Sequence, residues 1–250
     1  MSEQLVIQPA DGLEGLGTTA SGYENVAELV IPSESAFGNL RRFQTAEEDS
    51  VSPLEYAFHL LTGVHDRTVI DMGCGTGLST VILAKLGARV VSIDNSDAHL
   101  EMTHRRVQQH GVGKSVTLIR SHGCSLPIAD SAADRVLCHS ISLYSDPLLV
   151  ARQIRRILKP GGRAVFHEET RTRKHGTIRW EYASSLSRAV GLPGKHKEFW
   201  FATGLLFYMG VPLSSTIARA SQRFDAGLLR RFPFVRSLAW SLVWEARKES

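Results

Sequence analysis

Val69-Ile70-Asp71-Met72-Gly73-Cys74-Gly75-Thr76-Gly77 decides how this chain is read. A short apolar run ends in an acid, three glycines follow at alternate positions, and a helical pattern then begins. Strand, tight turn and helix in that order form the crevice where open α/β sheets bind ligands. The glycines remove side chains where the backbone must turn sharply and come close to a ligand. The free N–H groups of the next helix point into the same crevice. Such a turn can also cradle a dinucleotide, but three details oppose that. The spacing is G-x-G-x-G, and Leu78 stands where the dinucleotide fingerprint wants its third glycine. Asp71 precedes the first glycine by two residues, where a carboxylate repels a pyrophosphate. The same carboxylate can accept hydrogen bonds from a cationic amino group.

Outward from this stretch, strands and helices alternate. Strands are predicted at Thr68 to Asp71, Arg89 to Ile93, Val116 to Ile119, Asp134 to Cys138 and Arg163 to His167. Between them, helices are predicted at Thr76 to Leu86, Asp97 to His110 and Pro147 to Leu158, with Gly87, Gly111 and Pro160-Gly161-Gly162 as stops. This alternation indicates βαβ units and a parallel sheet covered on both faces. Ser52-Pro53 reads as a helix start, and Ser241 to Ala246 as a last strand, with Leu238 to Trp240 joining it or forming a short one before it. Residues 1–20 carry no period and read as mobile. Residues 170–225 read as helical, basic and aromatic, without the βα alternation.

Asp94 supplies a second acid, at the end of the second strand and 17 residues after Gly77. A carboxylate there can take both hydroxyls of a ribose, whether in a nicotinamide cofactor or another nucleoside.

These residues resemble the class I S-adenosylmethionine-dependent methyltransferases, in particular the small-molecule group that includes ubiquinone- and menaquinone-type C-methyltransferases. Ser121-His122-Gly123-Cys124-Ser125-Leu126-Pro127-Ile128 is similar to that family's G-D-A-x-x-L-P-F stretch, with His122 where the family often has Asp. Asp134 to His139 and Leu158 to Gly162 match its fourth-strand motif and the loop before its fifth strand. The resemblance implies an α/β, Rossmann-like, seven-stranded and mostly parallel sheet with helices on both faces. Residues 1–64 would form a helical cap segment, 65–169 the cofactor-binding core, 170–225 a helical acceptor-binding insertion and 226–250 the final strand or strands. It implies S-adenosyl-L-methionine as cofactor and S-adenosyl-L-homocysteine as product. Cofactor contacts are then expected from Asp71, Gly73, Cys74, Gly75, Gly77, Asp94, Asn95, His122, Gly123, Cys138 and His139, with Tyr23 folding over from the N-terminal segment.

The methyl group of that cofactor is already activated, so the protein must mainly align the acceptor and exclude water. A phenol, amine or enol acceptor can also need a base. His139, just after the fourth strand, is the first candidate; the alternative is a structural imidazole lining the methionine end. His167 and Glu168 after the fifth strand, and Tyr144 in the loop between, are the others. No Asn-Pro-Pro-Tyr or Pro-Cys nucleophile of the base-methylating enzymes is present. The acids used by catechol-type metal-dependent relatives are missing too, so no metal is expected. Phe199 to Leu213 is the most apolar stretch. It reads as an acceptor-pocket wall, a peripheral membrane contact or the packed core of the cap.

Composition narrows the class. Hydrophobic residues at 43% and charged residues at 22% suit a water-soluble globular domain. No 18-residue apolar run suggests a transmembrane helix. No secretory signal is expected from the polar residues 1–17. Three cysteines without a C-x-x-C point to a reducing compartment, the cytoplasm. Residues 170–250 hold 14 Lys/Arg against 5 Asp/Glu. That basic third is either a solvated surface or a face for an acidic partner. A small-molecule acceptor is therefore the leading expectation. RNA or protein methylation through the basic third is an alternative, as is a non-methylating protein that keeps the pocket; DNA is not expected and the oligomeric state is open.

Overall fold

Val69-Ile70, Val90-Val91 and Val136-Leu137 are runs whose two faces are both apolar, which suits strands sandwiched between helical layers. The computed structural model describes residues 8–9, 40–50, 52–140, 146–169, 180–199, 215–232 and 241–250. In chain order it contains β1 (Gln8–Pro9), α1 (Arg41–Gln44), α2 (Pro53–Leu61), β2 (Thr68–Met72), α3 (Leu78–Lys85) and β3 (Arg89–Asp94). There follow α4 (Asp97–Gln109), β4 (Val116–Arg120), β5 (Ala133–His139), α5 (Pro147–Ile157) and β6 (Leu158–Glu169). The chain ends with α6 (Trp180–Val190), β7 (Leu192–Phe199), α7 (Ser215–Arg231) and β8 (Ser241–Arg247).

The sheet order is β1-β4-β3-β2-β5-β6-β8-β7. Strands β1 to β6 run parallel, and β8 lies antiparallel between β6 and β7. The order turns back at β2, between β3 on one side and β5 on the other, which opens the crevice beyond the C-terminal ends of these strands. The seven strands β2 to β8 match the strand number that the family resemblance implies.

Helix ends follow the local chemistry. Pro53 and Pro147 stand in the first turns of α2 and α5. The Asp146 carboxylate accepts the Leu149 N–H at 2.9 Å, and the Ser96 hydroxyl accepts the His99 N–H at 3.3 Å. One face of the sheet packs Val69, Leu137, Val165 and Val243 against Ala57 and Leu61 of α2, Ile82 of α3 and Leu100 of α4. The other packs Ile70, Val136, Ala164 and Phe166 against Ile154 of α5 and Leu186 of α6. Each fully buried aliphatic side chain contributes roughly 1.5–3 kcal/mol of transfer free energy.

Two expectations need correction. Residues 170–225 are not helical throughout, because Leu192–Phe199 form β7. Gly191 and Pro193 break the helical pattern, and Lys195-His196-Lys197-Glu198 are polar because β7 is a half-exposed edge strand, so its apolar alternation is weak. Within the N-terminal segment read as mobile, Gln8 and Pro9 pair with Ile119 and Arg120 at the free edge of β4. A two-residue pairing is too short to leave a period in the sequence.

Candidate active site

The parallel registers bring the strand ends to one edge. Met72 stands beside Ile93 and Cys138, Asp94 beside Arg120, and His139 beside His167. Side chains two residues apart share a face. Asp71, His139 and His167 thus follow Val69, Leu137 and Val165 on the face covered by α2 and α3. Cys138 and Glu168 alternate to the other face, with Phe166.

The glycine turn is fixed by its surroundings. Gly73, Gly75 and Gly77 all have positive φ, at 70°, 53° and 80°. The Ile93 carbonyl accepts the Gly73 N–H at 2.8 Å and the Cys74 N–H at 3.2 Å. From α4, the Thr103 hydroxyl donates to the Gly75 carbonyl at 2.8 Å, and Arg106 donates to the Thr76 hydroxyl at 2.9 Å.

Asp94 holds this turn as well as facing the crevice. Its Oδ2 accepts the Gly75 N–H at 3.0 Å. Its Oδ1 accepts the Ser96 N–H at 3.0 Å and lies 3.3 Å from His99 Nδ1. The pKa of His99 is raised, first by that hydrogen bond and further by the Asp94 charge, against burial. A carboxylate offers about four acceptor sites, so Oδ2 retains capacity for a ligand hydroxyl.

Asp71 is fully buried. Its Oδ2 accepts from the hydroxyls of Ser79 at 2.8 Å and Thr80 at 2.7 Å, both in the first turn of α3. Its Oδ1 has no hydrogen-bond partner and lies 3.7 Å from His139 Nε2. Burial raises the carboxyl above its ordinary pKa, while His139 and the two hydroxyls pull it down. The His139 and His167 rings meet edge to face, with centroids 5.5 Å apart. Burial, reinforced by His139, pushes the His167 pKa down to about 3. Burial also pushes the Cys74 and Cys138 thiols well up, so neither is a thiolate nucleophile at neutral pH.

Above these groups opens a pocket of about 260 Å³ lined by Leu54, Gly73, Cys74, Thr76, Leu78, Ser79, His139 and His167. Of the residues expected from sequence, Gly73, Cys74, His139 and His167 line it, and Asp71 lies behind His139. Gly75, Gly77 and Asp94 shape the turn beside it. Asn95 is exposed just beyond β3, and Gly123 is buried after β4. His122 is half-buried there, with Nδ1 accepting the Cys124 N–H at 3.5 Å; the adjoining Ser121 N–H donates to the Asp94 carbonyl at 3.1 Å. Tyr23, Tyr144 and residues 200–213 of the apolar stretch lie outside the described residues. Sequence reading passed over His99, Thr103 and Arg106. Their spacing on α4 was the available signal, a polar stripe on a face that turns inward, with Thr103 and Arg106 both buried. Among the described residues, no group of three or more His, Cys, Asp or Glu is placed to hold a metal ion.

A doubly wound sheet with a glycine turn at its switch point and an acid ending the next strand defines a nucleoside-binding α/β domain. Residues 70–166 match the family described as methyltransferase domain. It is 29% identical over 155 residues to a ubiquinone biosynthesis O-methyltransferase of Serratia proteamaculans, covering 61% of each chain. It is 30% identical over 150 residues to a demethylmenaquinone methyltransferase of Clavibacter sepedonicus, covering 60% of this chain and 54% of that one. The match thus spans less than two thirds of these relatives' own length. The fold also superposes on a geranyl diphosphate C-methyltransferase from Streptomyces coelicolor with a TM-score of 0.56 at 18% identity, covering 78% of this chain and 74% of that one.

Proposed function

We propose that this protein transfers a methyl group from S-adenosyl-L-methionine to a small apolar or aromatic acceptor and releases S-adenosyl-L-homocysteine. One observation carries the reading: a glycine turn with three positive φ angles lies between the Asp94 carboxylate and a pocket backed by a buried, unpartnered Asp71 oxygen. The residues fit a sulfonium nucleoside. Asp94 Oδ2 keeps room to accept a ribose hydroxyl, the bare glycines let a ligand lie against the main chain, and a negative rather than phosphate-seeking group backs the pocket. When bound, that cofactor supplies a methyl group on a positively charged sulfur.

The chain's own residues bind, orient and exclude water. Asp94 and Asn95 serve the ribose side, and His122 and Gly123 the adenine side beyond β4. Gly73, Cys74 and His139 line the methionine end. Leu54, Leu78 and Cys74 give the pocket an apolar wall that suits a ring-bearing acceptor. His139 is the base candidate nearest a carboxylate. We read residues 170–225 as the acceptor-binding segment. No helix among the described residues is long and apolar enough to cross a membrane. The three cysteines are free thiols, which supports the cytoplasm as compartment.

Purified full chain incubated with methyl-labelled S-adenosyl-L-methionine and a panel of phenols and quinols should move label to an acceptor and form S-adenosyl-L-homocysteine in equal amount. Cofactor uptake without transfer to any member would overturn the methyl-transfer reading.

A further inference from the structure

Lys197 stands in β7 opposite Val243 of β8, and with it faces α2. Its Nζ donates to the Glu48 carbonyl and to the Ser50 carbonyl, each at 2.9 Å. The same ammonium lies 5.2 Å from the centre of the Tyr56 ring and 5.3 Å from that of Phe199. Two residues before it, Lys195 Nζ meets the Glu48 carboxylate at 2.9 Å. Part of the basic C-terminal third is spent within the chain.

The turn held in this way is also closed on itself. The Glu47 N–H donates to the Ser50 hydroxyl, and the Ser50 N–H to the Glu47 carbonyl, both at 3.1 Å. Tyr56 is buried in α2, its ring centroid 5.6 Å from that of Phe199. Lys197 therefore lies between the Glu47–Ser50 turn and the start of α2, where Leu54 walls the pocket. The far end of α2 is tied elsewhere. Arg135 of β5 donates to the Leu61 carbonyl at 2.9 Å, and Arg163 of β6 donates to that of Leu60. These contacts fill carbonyls that a helix end leaves open.

We propose that Lys197 is a positioning residue: it latches the Glu47–Ser50 turn and the first turns of α2 to β7, and so sets the place of Leu54 on the pocket wall. The effect on ligand binding rests on the S-adenosyl-L-methionine reading; the latch itself does not.

Carbonyl oxygens and ring faces both present negative charge to an ammonium. Hydrogen bonds with a charged donor are the stronger kind. A methionine at this position keeps an apolar stem against the two rings but makes neither bond. The N-terminal half of α2 is then free to open locally, while the half tied by Arg135 and Arg163 stays closed. Displacing Leu54 alters the fit of whatever lies against it, because binding and alignment depend on wall positions to about an ångström.

Amide hydrogen exchange on the full chain, followed by NMR, tests the latch without any ligand. In the wild type, the Ser50 and Tyr56 amides should open together as one unit. Free exchange at Ser50 beside a protected Tyr56 would overturn the latch even if no variant folds. In folded Lys197→Met, both amides should exchange about 10-fold faster or more, while the Thr62 amide at the far end of α2 keeps its wild-type rate. Unchanged Ser50 and Tyr56 rates, or equal acceleration at all three, would contradict the proposal. Calorimetric titration then tests the pocket half. Folded Lys197→Met should bind S-adenosyl-L-homocysteine about 2–30-fold more weakly than the wild type; a merely structural lysine would lower the melting temperature and leave that affinity unchanged. In the wild type, the nucleoside should slow exchange at Ser50 and Tyr56, and uptake without slowing would overturn the pocket half. Wild-type protein that takes up no nucleoside would sink the methyltransferase reading and the pocket half together, and the ligand-free exchange rates would still decide the latch.

Discussion

A Cβ atom added to Gly77 would stand 2.8 Å from Thr103 Cγ2, and the Gly77 backbone already holds φ at +80°. The glycine turn is thus clamped from α4, and its shape is a packing requirement as much as a binding one. Gly77→Ala should cost about 1–3 kcal/mol from left-handed backbone strain alone, with the clash added. For a chain of this size that lowers the melting temperature by several degrees, roughly 2–4 °C per kcal/mol. Thr103→Ala should relieve only part of the loss, because the φ penalty remains; differential scanning calorimetry of the single and double variants checks this.

Asp94 joins the turn to the ligand side. Hydrogen bonds to a charged group are worth about 1.5–3 kcal/mol, so Asp94→Ala should weaken S-adenosyl-L-homocysteine binding by about 10–100-fold. The same variant leaves the Gly75 N–H without its acceptor, so thermal stability should fall as well. Asp94→Asn, which keeps an acceptor oxygen, should lose less of both, as read by calorimetric titration and thermal melts.

His99 makes the Asp94 contact pH-dependent. Its folded pKa is raised above the ordinary value of 6.5, first by the Asp94 hydrogen bond. A raised histidine contributes stability fully below its unfolded pKa and loses that contribution as pH rises through the folded value. The stability gap between wild type and His99→Ala should therefore be largest near about pH 5.5 and shrink by about pH 8.5. Urea denaturation at a series of pH values measures it; a gap that widens with pH would contradict the assignment.

The antiparallel end of the sheet depends on Trp244, fully buried and stacked on Phe166 with ring centroids 4.9 Å apart. Trp244→Ala should destabilise by about 3–5 kcal/mol. Trp244→Phe should cost less than its lost volume suggests, because the indole N–H is buried without a partner. Chemical denaturation of both variants gives the ordering.

What was legible in the sequence follows from how locally each feature is encoded. Val69 to Gly77 carries its own strand, turn and helix start, so the crevice could be placed from one stretch. The strands through His167 declared themselves by apolar runs between helix stops. β7 did not, because an edge strand of Lys, His and Glu hides its alternation and its pairing to β8 spans some fifty residues. Among site residues, the strand-end positions of Asp71, Asp94, His139 and His167 were readable. That Asp71 would spend one oxygen on Ser79 and Thr80 and turn the other to His139 was not, since it depends on the β2–β5 register. The stripe of His99, Thr103 and Arg106 needed the packing of α4 to give it meaning.

The most direct measurement is isothermal titration of S-adenosyl-L-homocysteine into the folded full chain, beside a matched titration of a nicotinamide dinucleotide. One site per chain for the sulfur nucleoside and no heat from the dinucleotide is the expected result. Folded protein that ignores the sulfur nucleoside, or prefers the dinucleotide, would contradict the central claim.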